Sequence, residues 1–135
     1  MSKLKLLVNE IDSGAYDETL KRLYGEEKEN LFYQRKRYVD SLNEFARLYP
    51  EYDDVCIFSA SGRTEVCGNH TDHNNGKTLS AAINLDAIAV VSKTEERLEI
   101  HSKGYDADIL NISDISYKEE EKNTSRALIK GVCNG

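Results

Sequence analysis

The chain has 135 residues, enough for one domain of ordinary size or for a portion of a larger one. With 39% hydrophobic and 31% charged residues, it can bury a real but modest core. Its net charge of -6 argues against nucleic acid, because neutralising phosphates needs clustered Lys and Arg.

The N-terminal apolar run, Leu4 to Val8 with Lys5 inside it, is too short for a signal peptide or a membrane span. Residues 1–50 read as helical. Leu20, Leu23 and Tyr24 share a face before Gly25 interrupts the pattern. A longer helix is predicted from about residue 27 to residue 49. In it Leu31, Tyr38, Leu42, Phe45, Ala46 and Tyr49 recur at spacings of three and four, the stripe of a helix packed on one side. Pro50 ends it. The basic run Gln34-Arg35-Lys36-Arg37 lies among acids and reads as a solvated face.

The texture changes at Val55. Val55-Cys56-Ile57-Phe58 suits a strand, and a polar, Gly-bearing stretch follows over residues 59–77. Residues 85–92 are rich in Ala, Val and Ile, and residues 98–102 alternate with period two. With Thr94-Glu95-Glu96 as a charged turn between them, these two segments are expected to pair as a hairpin. A third strand is predicted between residues 107 and 112. Thr124 or Ser125 then caps a last helix through Leu128, Ile129 and Val132. The order of helix, strands and helix predicts an α+β class, with helices on a mixed or antiparallel sheet. Residues 1–135 are expected to form one N-terminal region, helical over 1–50 and strand-bearing over 51–135. Because so short a last helix needs something to pack on, a portion of a longer protein is the favoured reading. The three cysteines are odd in number and lack C-x-x-C spacing, which argues for a reducing, cytoplasmic location rather than a disulfide framework.

Residues 61–76 read Ser-Gly-Arg-Thr-Glu-Val-Cys-Gly-Asn-His-Thr-Asp-His-Asn-Asn-Gly. Arg63, His70, Asp72 and His73 stand beside side-chain amides and glycines. The amides, carboxylate and imidazoles donate and accept in both directions, as a polyhydroxylated ligand such as a sugar requires. The plain alternative is a long polar loop between strands. A zinc site from Cys67, His70, Asp72 and His73 is a third reading, against which Gly68, Asn69, Asn74 and Gly76 disfavour the regular helix that such spacing needs. No phosphate cradle is present: neither G-x-x-x-x-G-K-[ST] nor G-x-G-x-x-G occurs.

The same stretch resembles the first signature of the galactokinases, within the GHMP family of small-molecule kinases. That signature reads approximately Gly-Arg-Val-Asn-Leu-Ile-Gly-Glu-His-Thr-Asp-Tyr-Asn-x-Gly, and Gly62, Arg63, Gly68, His70, Thr71, Asp72, Asn74 and Gly76 match it. Leu79-Ser80-Ala81-Ala82-Ile83 is similar to the segment that follows it. The resemblance implies an N-terminal domain related to ribosomal protein S5 domain 2. It also implies transfer of the γ-phosphate of ATP, with Mg2+, to the anomeric hydroxyl of galactose. Arg63 would then stand near the anomeric oxygen as the catalytic cation, with Asn69, His70 and Asp72 binding the sugar. The family's phosphate loop and catalytic Asp lie beyond the signature and have no counterpart before Gly135, so ATP and Mg2+ are expected on the full-length protein and not on this chain. A monosaccharide is the implied partner, with no nucleic acid or membrane. Three departures stand out: Asn69 replaces a Glu that binds the 6-hydroxyl, Glu65 replaces an Asn, and His73 replaces a Tyr. An amide at 69 removes the repulsion that a carboxylate would exert on a carboxylated C6, about 4 kcal/mol at 4 Å with an effective dielectric near 20. Galacturonate is therefore an alternative substrate, and a sugar-binding regulator without catalysis is an alternative from another class.

Overall fold

The computed structural model describes residues 2–68 and 74–135. They form an α+β chain of two compact units, Met1–Ser92 and Lys93–Gly135.

The first unit opens with three helices, α1 (Lys3–Asp12), α2 (Asp17–Tyr24) and α3 (Lys28–Leu48). Ser2 caps α1 by accepting from the Lys5 amide at 3.2 Å. The next two orphan donors of that helix end, the amides of Lys3 and Leu4, are taken by the Asp53 carboxylate at 2.8 and 2.9 Å. A helix start thus finds its acceptor some fifty positions along the chain, which closes the unit on itself. Leu4 and Ile11 are the buried residues of α1, and Leu20 and Tyr24 those of α2. Leu23, expected on the same face, is 48% exposed. Gly25, at φ 96°, ends α2 in a conformation that favours glycine.

The predicted stripe of α3 faces inward as Tyr38 and Leu42. Leu42 is fully buried and packs with Ile11, Leu20, Tyr24 and Tyr38, flanked by Leu31, Ile57, Ile88 and Val90. The solvated face expected at residues 34–37 is a correction. Gln34 is buried, Arg35 pairs with Asp17, Arg37 pairs with Asp86, and only Lys36, with Asp40, pairs in the open. Four consecutive helical residues point in four directions, so a basic run does not share one fate.

Two long strands follow, β1 (Cys56–Cys67) and β2 (Leu79–Val91), paired antiparallel as a two-stranded sheet. Ile57, Ile88 and Val90 pack on the helical core, while the opposite face carries exposed Phe58 and Val91. The expected pairing of residues 85–92 with 98–102 does not form. Val90 faces Ile57 across the ladder instead, a partner whose side chain shares the same core. Period two marks a strand but does not choose its neighbour.

In the second unit β3 (Arg97–Ile100) pairs antiparallel with β4 (Asp108–Asn111), matching Leu98 to Leu110. Thr94 donates to the Arg97 carbonyl, so the charged turn is a local bend leading into β3 rather than a link between paired strands. A single-turn 3-10 helix (Glu119–Glu121) precedes α4 (Ser125–Asn134). Thr124 caps α4 by accepting from the Ala127 amide at 3.2 Å. The last helix forms as expected; along it Leu128 and Val132 are 71% and 75% exposed and Ile129 is half-buried. The buried residue of α4 is Lys130, paired with Glu121 at 2.7 Å. Among the described residues no helix is long and apolar enough to cross a membrane.

Candidate functional site

The polar stretch expected as loop from residue 59 is strand as far as Cys67. Exposed on most of its length, this half of β1 lacks the apolar alternation that betrays a half-buried strand. The hairpin therefore carries Gly62 and Arg63 on an exposed ribbon whose last ladder pair is Cys67–Leu79.

Two irregularities shape that ribbon. Between the pairs Ser61–Asp86 and Arg63–Ala82, Gly62 on β1 stands against three residues of β2. A Cβ at Gly62 would lie 3.1 Å from the Leu85 carbonyl oxygen and 3.3 Å from Ile83, so the small residue admits the bulge. Between Glu65–Ser80 and Cys67–Leu79 the extra residue is Val66 on β1. Gly68 then takes φ 88°, and a Cβ there would meet the Lys77 carbonyl oxygen at 2.3 Å. Nothing larger than hydrogen fits that crossing of the loop's two ends. On the returning side Asn75 adopts φ 59°, which Asn tolerates better than most residues.

Arg63, the expected catalytic cation, is exposed on β1 and paired across the ladder with Ala82. Among the described residues its guanidinium is in no hydrogen bond or ion pair. The expected sugar ligands Asn69, His70 and Asp72 lie outside the described residues, as do Thr71 and His73. Cys67 is an exposed free thiol. Among the described residues no group of three potential metal ligands occurs. A cavity of about 320 Å3 opens near Ile11, Leu20, Leu23 and Ile57, and another of about 560 Å3 near Asp17, Phe32 and Arg35. Arg63 lines neither.

Sequence reasoning missed a polar cluster under the base of this ribbon. Asp86 on β2 has a side chain only 3% exposed. It accepts from Arg37 Nη1 at 2.6 Å, Tyr24 Oη at 2.6 Å and Ser59 Oγ at 2.5 Å. Arg37 Nη2 also donates to the Asp86 carbonyl at 2.8 Å, and the Tyr24 and Tyr38 hydroxyls are 2.7 Å apart. Burial pushes the Asp86 carboxyl up, but the bonds from Ser59, Tyr24 and Arg37 outweigh it and hold the group below the usual carboxylate range. Burial first, then bonds to Asp86 and Tyr38, push the Tyr24 phenol well up. The signal available in sequence was a lone carboxylate in an Ala-, Val- and Ile-rich run. Such a group needs a buried donor from another element.

Residues 43–93 match the family model "Galactokinase galactose-binding signature", a span that begins within α3 and runs through both strands of the hairpin. The resemblance to galactokinases is borne out by curated relatives of that name. The chain is 36% identical over 56 residues to the galactokinase of Enterococcus faecalis, covering 42% of the chain and 14% of that protein. It is 28% identical over 100 residues to that of Lactobacillus helveticus, covering 72% of the chain and 24% of the relative. Against that of Bacillus subtilis it is 30% identical over 81 residues, covering 57% and 21%. The matches thus span less than a quarter of each relative's length. No solved structure matches the chain.

Proposed function

We propose that this chain is the sugar-recognition part of an ATP-dependent kinase that phosphorylates the C1 hydroxyl of galactose. The observation that carries the reading is the match over residues 43–93 to a galactose-binding signature. In this reading Arg63 lies beside the C1 oxygen and offsets negative charge that develops during phosphoryl transfer. His70 and Asp72 orient the ring by hydrogen bonds to its hydroxyls, which places C1 rather than another carbon at the reacting position. Asn69 reads C6. The residues of this chain do not fit ATP and Mg2+, since no phosphate-cradling sequence occurs. The proposal assigns the nucleotide to other sequence of the full-length protein.

The departure at position 69 supports galacturonate as a second reading, because the Asn69 amide can donate to a carboxylate at C6. Measuring kcat/KM for galactose and galacturonate in the full-length enzyme and in Asn69→Glu decides between them. If Asn69 reads C6, the variant shifts preference toward galactose by one to two orders of magnitude, about 1.4–3 kcal/mol. An unchanged ratio removes position 69 from substrate choice. Failure of the full-length protein to phosphorylate either sugar overturns the kinase reading itself.

A further inference from the structure

We infer that Asp86 is a positioning residue for the proposed sugar-binding hairpin, the fixed point from which the two strands aim Arg63. The inference rests on the proposed sugar-binding role and deepens it. Asp86 joins four elements: Tyr24 of α2, Arg37 of α3, Ser59 of β1 and its own strand β2. From the Ser61–Asp86 pair outward, no described residue of 62–67 or 79–85 is buried. Along β1 that stretch is at most about 20 Å of ribbon at roughly 3.3 Å per residue, and none of its residues belongs to the helical core. The bulge opposite Gly62 follows immediately after the Asp86 pair, and Arg63 comes directly after the bulge. A small rotation at the base therefore displaces the far end in proportion to its length, and positioning errors of about 1 Å are costly at a reacting centre.

Ser59 is the element that separates positioning from stability. Its hydroxyl bonds Asp86 across the strands while the residue itself is exposed, so Ser59→Ala removes one arm of the anchor and leaves the Arg37–Asp86 pair in place. Amide hydrogen exchange on the full 135-residue chain reads the effect without any ligand. In Asp86→Asn, exchange at 61–67 and 79–85 is expected to rise about tenfold or more while α1 and the middle of α3 keep their protection. Ser59→Ala is expected to do the same to a smaller extent. If Asp86→Asn does not fold, Ser59→Ala alone carries the test. A uniform rise across the first unit, or no change at the ribbon, overturns the positioning role.

The sugar readout is separate. In the full-length enzyme Ser59→Ala is expected to lower kcat for galactose severalfold, with Ser59→Thr restoring it because the hydroxyl returns. An unchanged kcat overturns the link to catalysis. If wild-type enzyme uses no galactose yet the exchange pattern holds, the kinase reading fails while the anchor stands.

Discussion

Breaking the Arg37–Asp86 pair should reveal how strongly the helical layer is tied to the hairpin. Asp86→Asn removes the charge that faces Arg37 at 2.6 Å and turns two charge-assisted bonds, from Tyr24 and Ser59, into neutral ones. Removing one partner of a buried pair costs about 3–5 kcal/mol. Arg37 keeps 23% of its side chain in water, which relieves part of its stranded charge, so about 2–4 kcal/mol is expected. Arg37→Met strands the better-buried carboxylate and should cost about 3–5 kcal/mol. The double variant should fall short of the sum by about 1–3 kcal/mol, because the second change no longer breaks a pair. Urea unfolding followed by the helical circular dichroism signal gives each value, provided the slope stays constant. Additivity within about 0.5 kcal/mol would refute the coupling.

Other outcomes follow from the same geometry. Leu42→Ala, at the one side chain with no exposure in the cluster, should cost about 3–4 kcal/mol in the same unfolding assay. Because the Asp86 carboxyl is held low, its contribution is fully present above the unfolded carboxyl pKa near ~3.9 and is lost as pH falls through the lower folded value. Acid titration of Asp86→Asn should therefore show a flatter loss of stability below about pH 4 than the wild type. Gly68→Ala forces a Cβ toward the Lys77 carbonyl at φ 88°, a strain of about 1–3 kcal/mol. It should abolish sugar binding before it unfolds the helices, as galactose titration and circular dichroism would report. Thr124→Ala removes the α4 cap and should cost about 1 kcal/mol, read as faster amide exchange in that helix.

Where a residue's surroundings are local, the sequence was readable. The stripe of α3, its end before Pro50 and the Thr124 cap are all set within a few positions of themselves, and the structure has them there. The outer half of β1 was not readable, because a strand exposed on both faces has no reason to alternate. Strand pairing failed for a different reason: residues 85–92 chose between two neighbours according to a core built from α1, α2 and α3. The Arg37–Asp86 pair and the burial of Lys130 on Glu121 depend on partners in other elements. Of the candidate site, Gly62, Arg63 and Gly68 could be named from the signature, but their reasons could not. A bulge needing no side chain and a crossing that admits only hydrogen appear once both strands are in place.

The proposed recognition of galactose rests on the segment between Gly62 and Gly76. The most direct test is a galactose titration of the isotopically labelled chain, watching its amide resonances in the wild type and in Asp72→Ala. Saturable shifts concentrated at 62–76, and their loss in the variant, are expected. Shifts centred on the cavity near Ile11 and Ile57, or saturable binding that Asp72→Ala leaves intact, would contradict the proposal.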